Sequence, residues 1–539
     1  AQITQNLDAV NDCDEDDTGF NQASCVNGQT SSKIESIVQD NDAIVGDDTV
    51  QLNFVAVNQD LLLQNVCDQT GIGDNNAQCT DPAADATDDN IFIGPVTQTN
   101  GADGSGDADF TQNNNIPTIN QVIDAENDCD QSDEQTASGS NLAICSNSDP
   151  ESTIDSITQD NDAAGTHVDD IFQDNIGSFS QVMTLNNGCD ATTFTDDGDN
   201  AAACDNDAAD NELHIVAQSN IATGNDDVLI DEENNLAVIQ VTSANNNCDS
   251  TGGNEASCSN DNAGNDIGDI TQDNTATGDD FAFITQSNDA TINQNADVLN
   301  SCDESGAGIN SADCDNNADD IVFHNVIGPV SQSNVATSGG NSIATQSSIL
   351  DVTQNLEGTN DCDEANTGDN QATCENVDLV QVVGPVSQSN SVNADPNGDI
   401  ATQSNGAQVS QNLDAVNDCD EDDTGFNQAS CLNQQTSSEI ESITQDNDAI
   451  VGDDTVQLNF VNVNQDLLLQ NVCDETGIGD NNAQCNDPTA ATDSNHFIGP
   501  VTQGNDADGS GDADFTQNNN IPIINQVIDA ENDCDQSDE

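Results

Sequence analysis

Ten times the chain enters a loop through the same step, Asn-x-Cys-Asp, with the cysteine at Cys13, Cys67, Cys129, Cys189, Cys248, Cys302, Cys362, Cys419, Cys473 and Cys534. The intervals run from 54 to 62 residues. A period of this length, carried through a whole chain, implies one supersecondary unit stacked on copies of itself, because neighbouring repeats bury each other's cores. A longer period encloses the short one. Residues 1–134 return as 407–539 with 15 substitutions and one deletion, none at a cysteine. The chain therefore divides into one long period of about seven cysteine-loop units, 1–406, and the start of a second, near-identical period, 407–539.

Between the cysteine steps a second pattern recurs: an apolar residue, usually Thr or Ser, then Gln-x-Asn. It reads ITQDN at 157–161 and 270–274, VAQSN at 216–220, ITQSN at 284–288, and VSQSN at 330–334 and 386–390. The internal period is two, which specifies β-strands, and clusters of Gly, Asp and Asn between them supply turns. No helix-period spacing is present. The alternation places Gln159, Asn161, Gln218, Asn220, Gln272, Asn274, Gln286, Asn288, Gln332, Asn334, Gln388 and Asn390 on the inward face. Stacked strands would turn these residues into amide ladders, each side chain bonding to the one above and below.

The expected fold is thus all-β: an elongated parallel β-solenoid of about 58-residue disulfide-stapled units. With three such segments per unit, three coils per unit would make seven units roughly 100 Å long at about 4.8 Å per coil. The competing architecture is a string of small β-sandwich domains, each near the lower size limit for an independent core.

Composition limits the partners. One Lys or Arg (Lys33) stands against 102 Asp and Glu, for a formal charge of −101, and hydrophobic residues make up only 33%. Such values alone would suggest disorder, but β-branched clusters and 19 cysteines argue for a defined framework. Nucleic acid and anionic membrane surfaces are excluded as partners because both demand Lys and Arg. Cations are the natural counterparts, and a saline, calcium-rich or strongly acidic exterior suits the charge, as on a halophilic archaeal surface. No run of 18 apolar residues exists, so no membrane insertion by a helix is expected.

The cysteines pair off along the sequence as Cys13–Cys25, Cys67–Cys79, Cys129–Cys145, Cys189–Cys204, Cys248–Cys258, Cys302–Cys314, Cys362–Cys374, Cys419–Cys431 and Cys473–Cys485, leaving Cys534 unpaired or intermolecular. Local disulfides of this kind imply an oxidising compartment, extracellular or at the cell surface. Structural zinc is disfavoured by the wide spacing and by four scattered histidines. For hard cations, DGSGDAD at 103–109 and 508–514 offers Asp103, Asp107, Asp109, Asp508, Asp512 and Asp514 as a candidate Ca²⁺ cage, although the terminal bidentate Glu of a full calcium loop is missing. No organic cofactor is expected. There is no recurrent nucleophile–base pairing and no Gly-rich phosphate loop, so no enzyme is expected either.

Segments such as QDNDAIV at 39–45 and QSNDATINQ at 286–294 resemble the curlin-type repeat of bacterial curli fibres, which spaces Gln and Asn along stacked strands. Curlin repeats are shorter and lack the cysteine loops. The resemblance implies a surface fibre of stacked β-coils. The expected role is accordingly a structural subunit or segment of an extracellular filament, partnered with itself head-to-tail or as the continuation of one giant chain. The alternative is a calcium-loaded adhesin or an ice-binding solenoid with an outward Thr array.

Overall fold

The computed structural model describes residues 1–538 except 14, 19–20, 27–31, 46–48, 68, 73–74, 81–90, 134–140, 149, 193–199, 226–227, 252–254, 280, 306–308, 317–322, 340–341, 365–368, 395–399, 424–425, 435, 452–453, 478–479, 487–495 and 510–513. Among the described residues the regular structure is entirely β-strand. Every strand pairing is parallel and joins a residue to its equivalent one unit along. Gln98 lies against Gln159, Gln159 against Gln218, Gln218 against Gln272, and Cys129 against Cys189. The molecule is a parallel β-solenoid. A string of sandwiches would instead pair strands within a unit.

One expectation is corrected by this register. A unit makes one coil and not three, because its Gln-x-Asn segments lie end to end around a single wide turn. Seven units therefore rise about 34 Å at 4.8 Å per coil, in place of roughly 100 Å. The boundary between 406 and 407 falls inside the strand Ile400–Asp423, and stacking runs straight through it.

Each coil is flattened into two facing walls. Within the strand Glu151–Thr192 the outbound wall buries Ile154, Ile157, Gln159, Asn161 and Ala163. The chain then reverses, and the return wall buries Ile171, Gln173, Asn175, Phe179, Gln181, Met183, Leu185, Asn187 and Cys189. Contact between the walls is direct: Asn161 Nδ2 donates to Asn175 Oδ1 at 3.0 Å, and Gln159 Nε2 to the Ile176 carbonyl at 3.0 Å. Four apolar blocks run up the stack, separated by these amide layers. One holds Ala163 and Ile171, the next Ile157 and Phe179, the third Met183 and Leu185, and the last the cysteines with Ala191 and Ala202. Each fully buried Ile, Leu or Phe contributes about 1.5–3 kcal/mol. A chain with few apolar residues reaches a core here because the amide layers satisfy one another, so the apolar blocks between them can be thin; other apolar residues, such as Ile44, Ile215 and Ile239, stay exposed on the outward face.

The corner that joins a coil's two halves of outbound wall carries glycine in five coils, at Gly94, Gly268, Gly328, Gly384 and Gly499, and a side chain in the others, at Glu35, Asp155, His214 and Glu441. Gly328 N donates to the Ile267 carbonyl at 2.6 Å and Gly384 N to the Ile327 carbonyl at 2.7 Å, so successive corners nest backbone on backbone. A Cβ on Gly268 would sit 1.8 Å from the carbonyl oxygen of His214. Neither partner is a flexible side chain, so the coils would have to separate. Gly268→Ala is expected to destabilise the stack by about 3 kcal/mol or more. Urea unfolding reads this as a lowered midpoint; an unchanged midpoint would show that the corner can open without loss.

Candidate functional site

The repeated side chains form continuous files along the stack. Gln159, Gln218, Gln272, Gln332 and Gln388 belong to one: each Nε2 donates to the Oε1 of the preceding coil at 2.8–3.0 Å. Asn161, Asn220, Asn274, Asn334 and Asn390 form a parallel file with spacings of 2.9–3.0 Å. Gln286 and Asn288 sit in a second pair of files on the facing wall. All twelve are buried. The direction of donation differs between the two amides. Inward glutamines donate toward the lower-numbered coil, whereas inward asparagines donate toward the higher-numbered one.

Two sets of files escaped the sequence reading. The third glutamine file runs through Gln59, Gln121, Gln181, Gln240, Gln294, Gln354, Gln411 and Gln465. Three of its strands are legible as the shorter pattern ITQNL at 3–7, VTQNL at 352–356 and VSQNL at 409–413, but the others lack the Gln-x-Asn signature and show only in their unit spacing. The other set is the Asn of the Asn-x-Cys-Asp step itself. Asn127, Asn187, Asn246 and Asn300 stack on one another and bond across the coil to Asn147, Asn206, Asn260 and Asn316, two residues past each closing cysteine. The step thus reads as Asn in, x out, Cys in, Asp out.

One rung is ionisable. Glu232 occupies the glutamine position between Gln173 and Gln286. Gln286 Nε2 donates to it at 2.7 Å. On its other side Gln173 Oε1 and Glu232 Oε1 are both buried without a hydrogen-bond partner. A carboxylate cannot donate as the missing amide would, so the file is broken there. Burial pushes the Glu232 carboxyl up to about 8, with a further push from Asp231, against hydrogen bonds from Gln286 and the Ala222 backbone. A protonated carboxyl restores a donor facing Gln173.

The cysteines form two facing columns. Opening cysteines Cys129, Cys189, Cys248, Cys302, Cys362, Cys419, Cys473 and Cys534 lie in backbone register with one another, as do closing cysteines Cys25, Cys79, Cys145, Cys204, Cys258, Cys314, Cys374, Cys431 and Cys485. Cys129–Cys145 is bonded within its loop. Five other described bonds step to the next coil: Cys204–Cys248, Cys258–Cys302, Cys314–Cys362, Cys374–Cys419 and Cys431–Cys473. These replace the expected Cys189–Cys204, Cys248–Cys258, Cys302–Cys314, Cys362–Cys374, Cys419–Cys431 and Cys473–Cys485. Cys189, between the two arrangements, is a buried free thiol. Cys13 and Cys67 are disulfide-bonded, while the side chains of Cys25, Cys79, Cys485 and Cys534 lie outside the described residues.

The correction has a simple cause. Loop length favours the nearest cysteine in sequence, but stacking brings the next coil's cysteine just as close. Cα–Cα is 6.4 Å for the local pair and 6.3–6.7 Å for the crossing pairs, both within disulfide reach. A crossing bond closes a loop of 42 to 48 residues and clamps two coils together. By the loop-entropy model that is worth about 4 kcal/mol.

Outside the cysteine columns runs a column of carboxylates, since every opening cysteine is followed by Asp. Asp130, Asp190, Asp249, Asp303, Asp363, Asp420 and Asp474 lie in successive register. Partial burial pushes Asp190 and Asp363 up to about 6, reinforced by neighbouring aspartates. Asp249 and Asp303 are raised for the same first reason. The proposed calcium residues are less organised. Asp103, Asp508 and Asp514 are exposed and Asp109 is half-buried, while the side chains of Asp107 and Asp512 lie outside the described residues. Among the described residues, every group of three or more possible ligand atoms gathered within 4.8 Å consists of cysteines.

No family model, curated protein or solved structure matches the chain.

Proposed function

We propose that this protein is a structural segment of an extracellular filament or cell-surface fibre that grows by adding coils along the stacking axis. The observation that carries the reading is the parallel backbone register, which continues from coil to coil and sets amide files, apolar blocks and cysteine columns above one another. The two end faces of such an array are complementary. At one face Gln526, which donates backward to Gln465, turns its Oε1 outward; at the other, Gln5 accepts from Gln59 and turns its donor outward. Inward apolar residues on the strand Phe515–Asp538, Ile524 and Ile528, are exposed and would be covered by a further coil. That coil can belong to the same chain or to another copy, and a translational contact of this type propagates without closing.

Disulfides along the whole stack favour an oxidising exterior, and the likeness of the Gln-x-Asn strands to curlin repeats points the same way. An ice-binding role fits less well. The outward column beside the glutamine file reads Thr97, Thr158, Ala217, Thr271, Ser331, Ser387, Thr444 and Thr502, with Asp160, Asp273 and Asp446 beside it. Charged, broken rows of this kind do not make a flat Thr array.

Electron microscopy and fibre diffraction of the native assembly test the proposal. The expected result is filaments whose 4.7–4.8 Å reflection lies along the fibre axis. Particles that remain monomeric in concentrated, high-salt solution would overturn it.

A further inference from the structure

The two cysteine columns form a relay through which one thiol can travel. In parallel, in-register strands equivalent Cβ atoms point the same way, so members of one column cannot bridge each other without backbone movement, whereas the columns face each other. An opening cysteine inside the stack then faces two closing cysteines, that of its own coil and that of the coil before. The sulfurs are gathered accordingly. Cys189, Cys204 and Cys248 lie within 4.8 Å of one another, as do Cys248, Cys258 and Cys302, then Cys314, Cys362 and Cys374, then Cys374, Cys419 and Cys431. Cys431 Sγ, bonded to Cys473, is also 2.8 Å from Cys419 Sγ. With 19 cysteines, pairing inside one chain must leave at least one thiol over.

The single described free thiol marks a boundary. On its N-terminal side Cys129–Cys145 is local; on its C-terminal side every described bond crosses to the next coil. We propose that Cys189 is the starting point of a thiol–disulfide relay that converts crossing bonds into local ones, one coil at a time, without net oxidation. As a thiolate, Cys189 attacks Cys204 Sγ; the Cys189–Cys204 bond forms, the Cys204–Cys248 bond breaks, and Cys248 leaves with the electron pair and takes up a proton. Cys248 then attacks Cys258 and releases Cys302. The same step passes through Cys314, Cys374 and Cys431 and ends at Cys473. Attack on Cys145 runs the thiol the other way, to Cys129. Each step exchanges one S–S bond for another, so no oxidant or reductant is consumed. Its effect is mechanical: the thiol's position sets which coils are clamped to their neighbours and which are closed only on themselves.

Thiolate is scarce at rest. Burial pushes the Cys189 thiol up, and Asp190, Asp128 and Asp130 push it further. Exchange should therefore be slow at neutral pH and faster in alkali. The test incubates the full chain at pH 9 for increasing times, quenches with acid, and labels thiols with N-ethylmaleimide in denaturant at mildly acid pH. Peptide mass spectrometry then locates the label and the disulfides. The expected result is label spreading from Cys189 to opening cysteines alone, to Cys248, Cys302, Cys362, Cys419 and Cys473 in one direction and Cys129 in the other, with loss of Cys204–Cys248 peptide matched by gain of Cys189–Cys204. Label that stays on Cys189, or reaches Cys204, Cys258 or another closing cysteine, overturns the relay. In Cys189→Ser the crossing bonds are expected to persist unchanged through the same incubation; redistribution at the wild-type rate in that variant would equally overturn it.

Discussion

Glu232→Gln should stabilise the stack at pH 8 by on the order of 3–5 kcal/mol while leaving stability at pH 4 nearly unchanged. The substitution completes the amide file, giving Gln173 Oε1 the donor it lacks and removing a carboxylate that burial disfavours. The direction follows from the shifted titration. The Glu232 carboxyl is raised from 4.5 to about 8 in the fold. Its contribution is complete below about pH 4.5, where it is protonated in both states, and is lost as pH rises through 8. Asp231 is the charged neighbour acting directly on it; Asp174 in the coil before is pushed up to about 6 by its own burial first, with Glu233 and Asp231 adding to it. Urea unfolding of both proteins at pH 4 and pH 8 checks the prediction. Equal midpoints at pH 8 would mean that the rung is satisfied as a carboxylate.

The second large effect concerns the whole acidic surface. Thermal stability is expected to rise both when pH falls from 8 toward 5 and when salt is raised to molar concentration. Asp190 and Asp363, near 6 in the fold, oppose folding when ionised, and so to a smaller degree do Asp249 and Asp303. Their stabilising contribution is present below the ordinary aspartate range and fades as pH climbs through about 6. Salt leaves the burial cost in place but acts on the repulsion between neighbouring aspartates that adds to it, shortening the Debye length from about 10 Å at 0.1 M to about 3 Å at 1 M. Adjacent carboxylates one coil apart, at about 4.8 Å, stay coupled at low salt and are largely screened at high salt. Melting followed by circular dichroism over a pH and NaCl grid measures both trends. A melting temperature that falls on acidification would show that the column is held by partners and not strained by its own charge.

Much of this was legible in the residues, and the failures share one origin. Alternation in Ile157–Thr158–Gln159–Asp160–Asn161 identifies the strand and its inward face. It does not say which strand lies alongside. The neighbour of Gln159 could have been the next segment of its own unit or Gln218 in the next unit, and a period of two is silent between them. What decides is the match of whole walls. Only a shift of one full unit sets Gln on Gln, Asn on Asn and Cys on Cys at once. The disulfides were misread for the same reason, since a short loop is visible in sequence while the 6.3 Å between Cys204 and Cys248 is created by stacking. Glu232 could have been found: Ile230–Asp231–Glu232–Glu233–Asn234 has the spacing of ITQDN with Glu in the glutamine place.

If coils add along the stacking axis as proposed, the opposed directions of the two amides bear on how a wrongly oriented coil is refused. A coil delivered upside down would bring carbonyl against carbonyl in every glutamine file and amino group against amino group in every asparagine file. Each mismatched buried rung would cost about 1–3 kcal/mol, and the error would repeat across the width of the face. A correctly oriented coil meets its complement at every file. In the proposed filament, mistakes of orientation would therefore be disfavoured at the docking step, and its two tips would be chemically distinct.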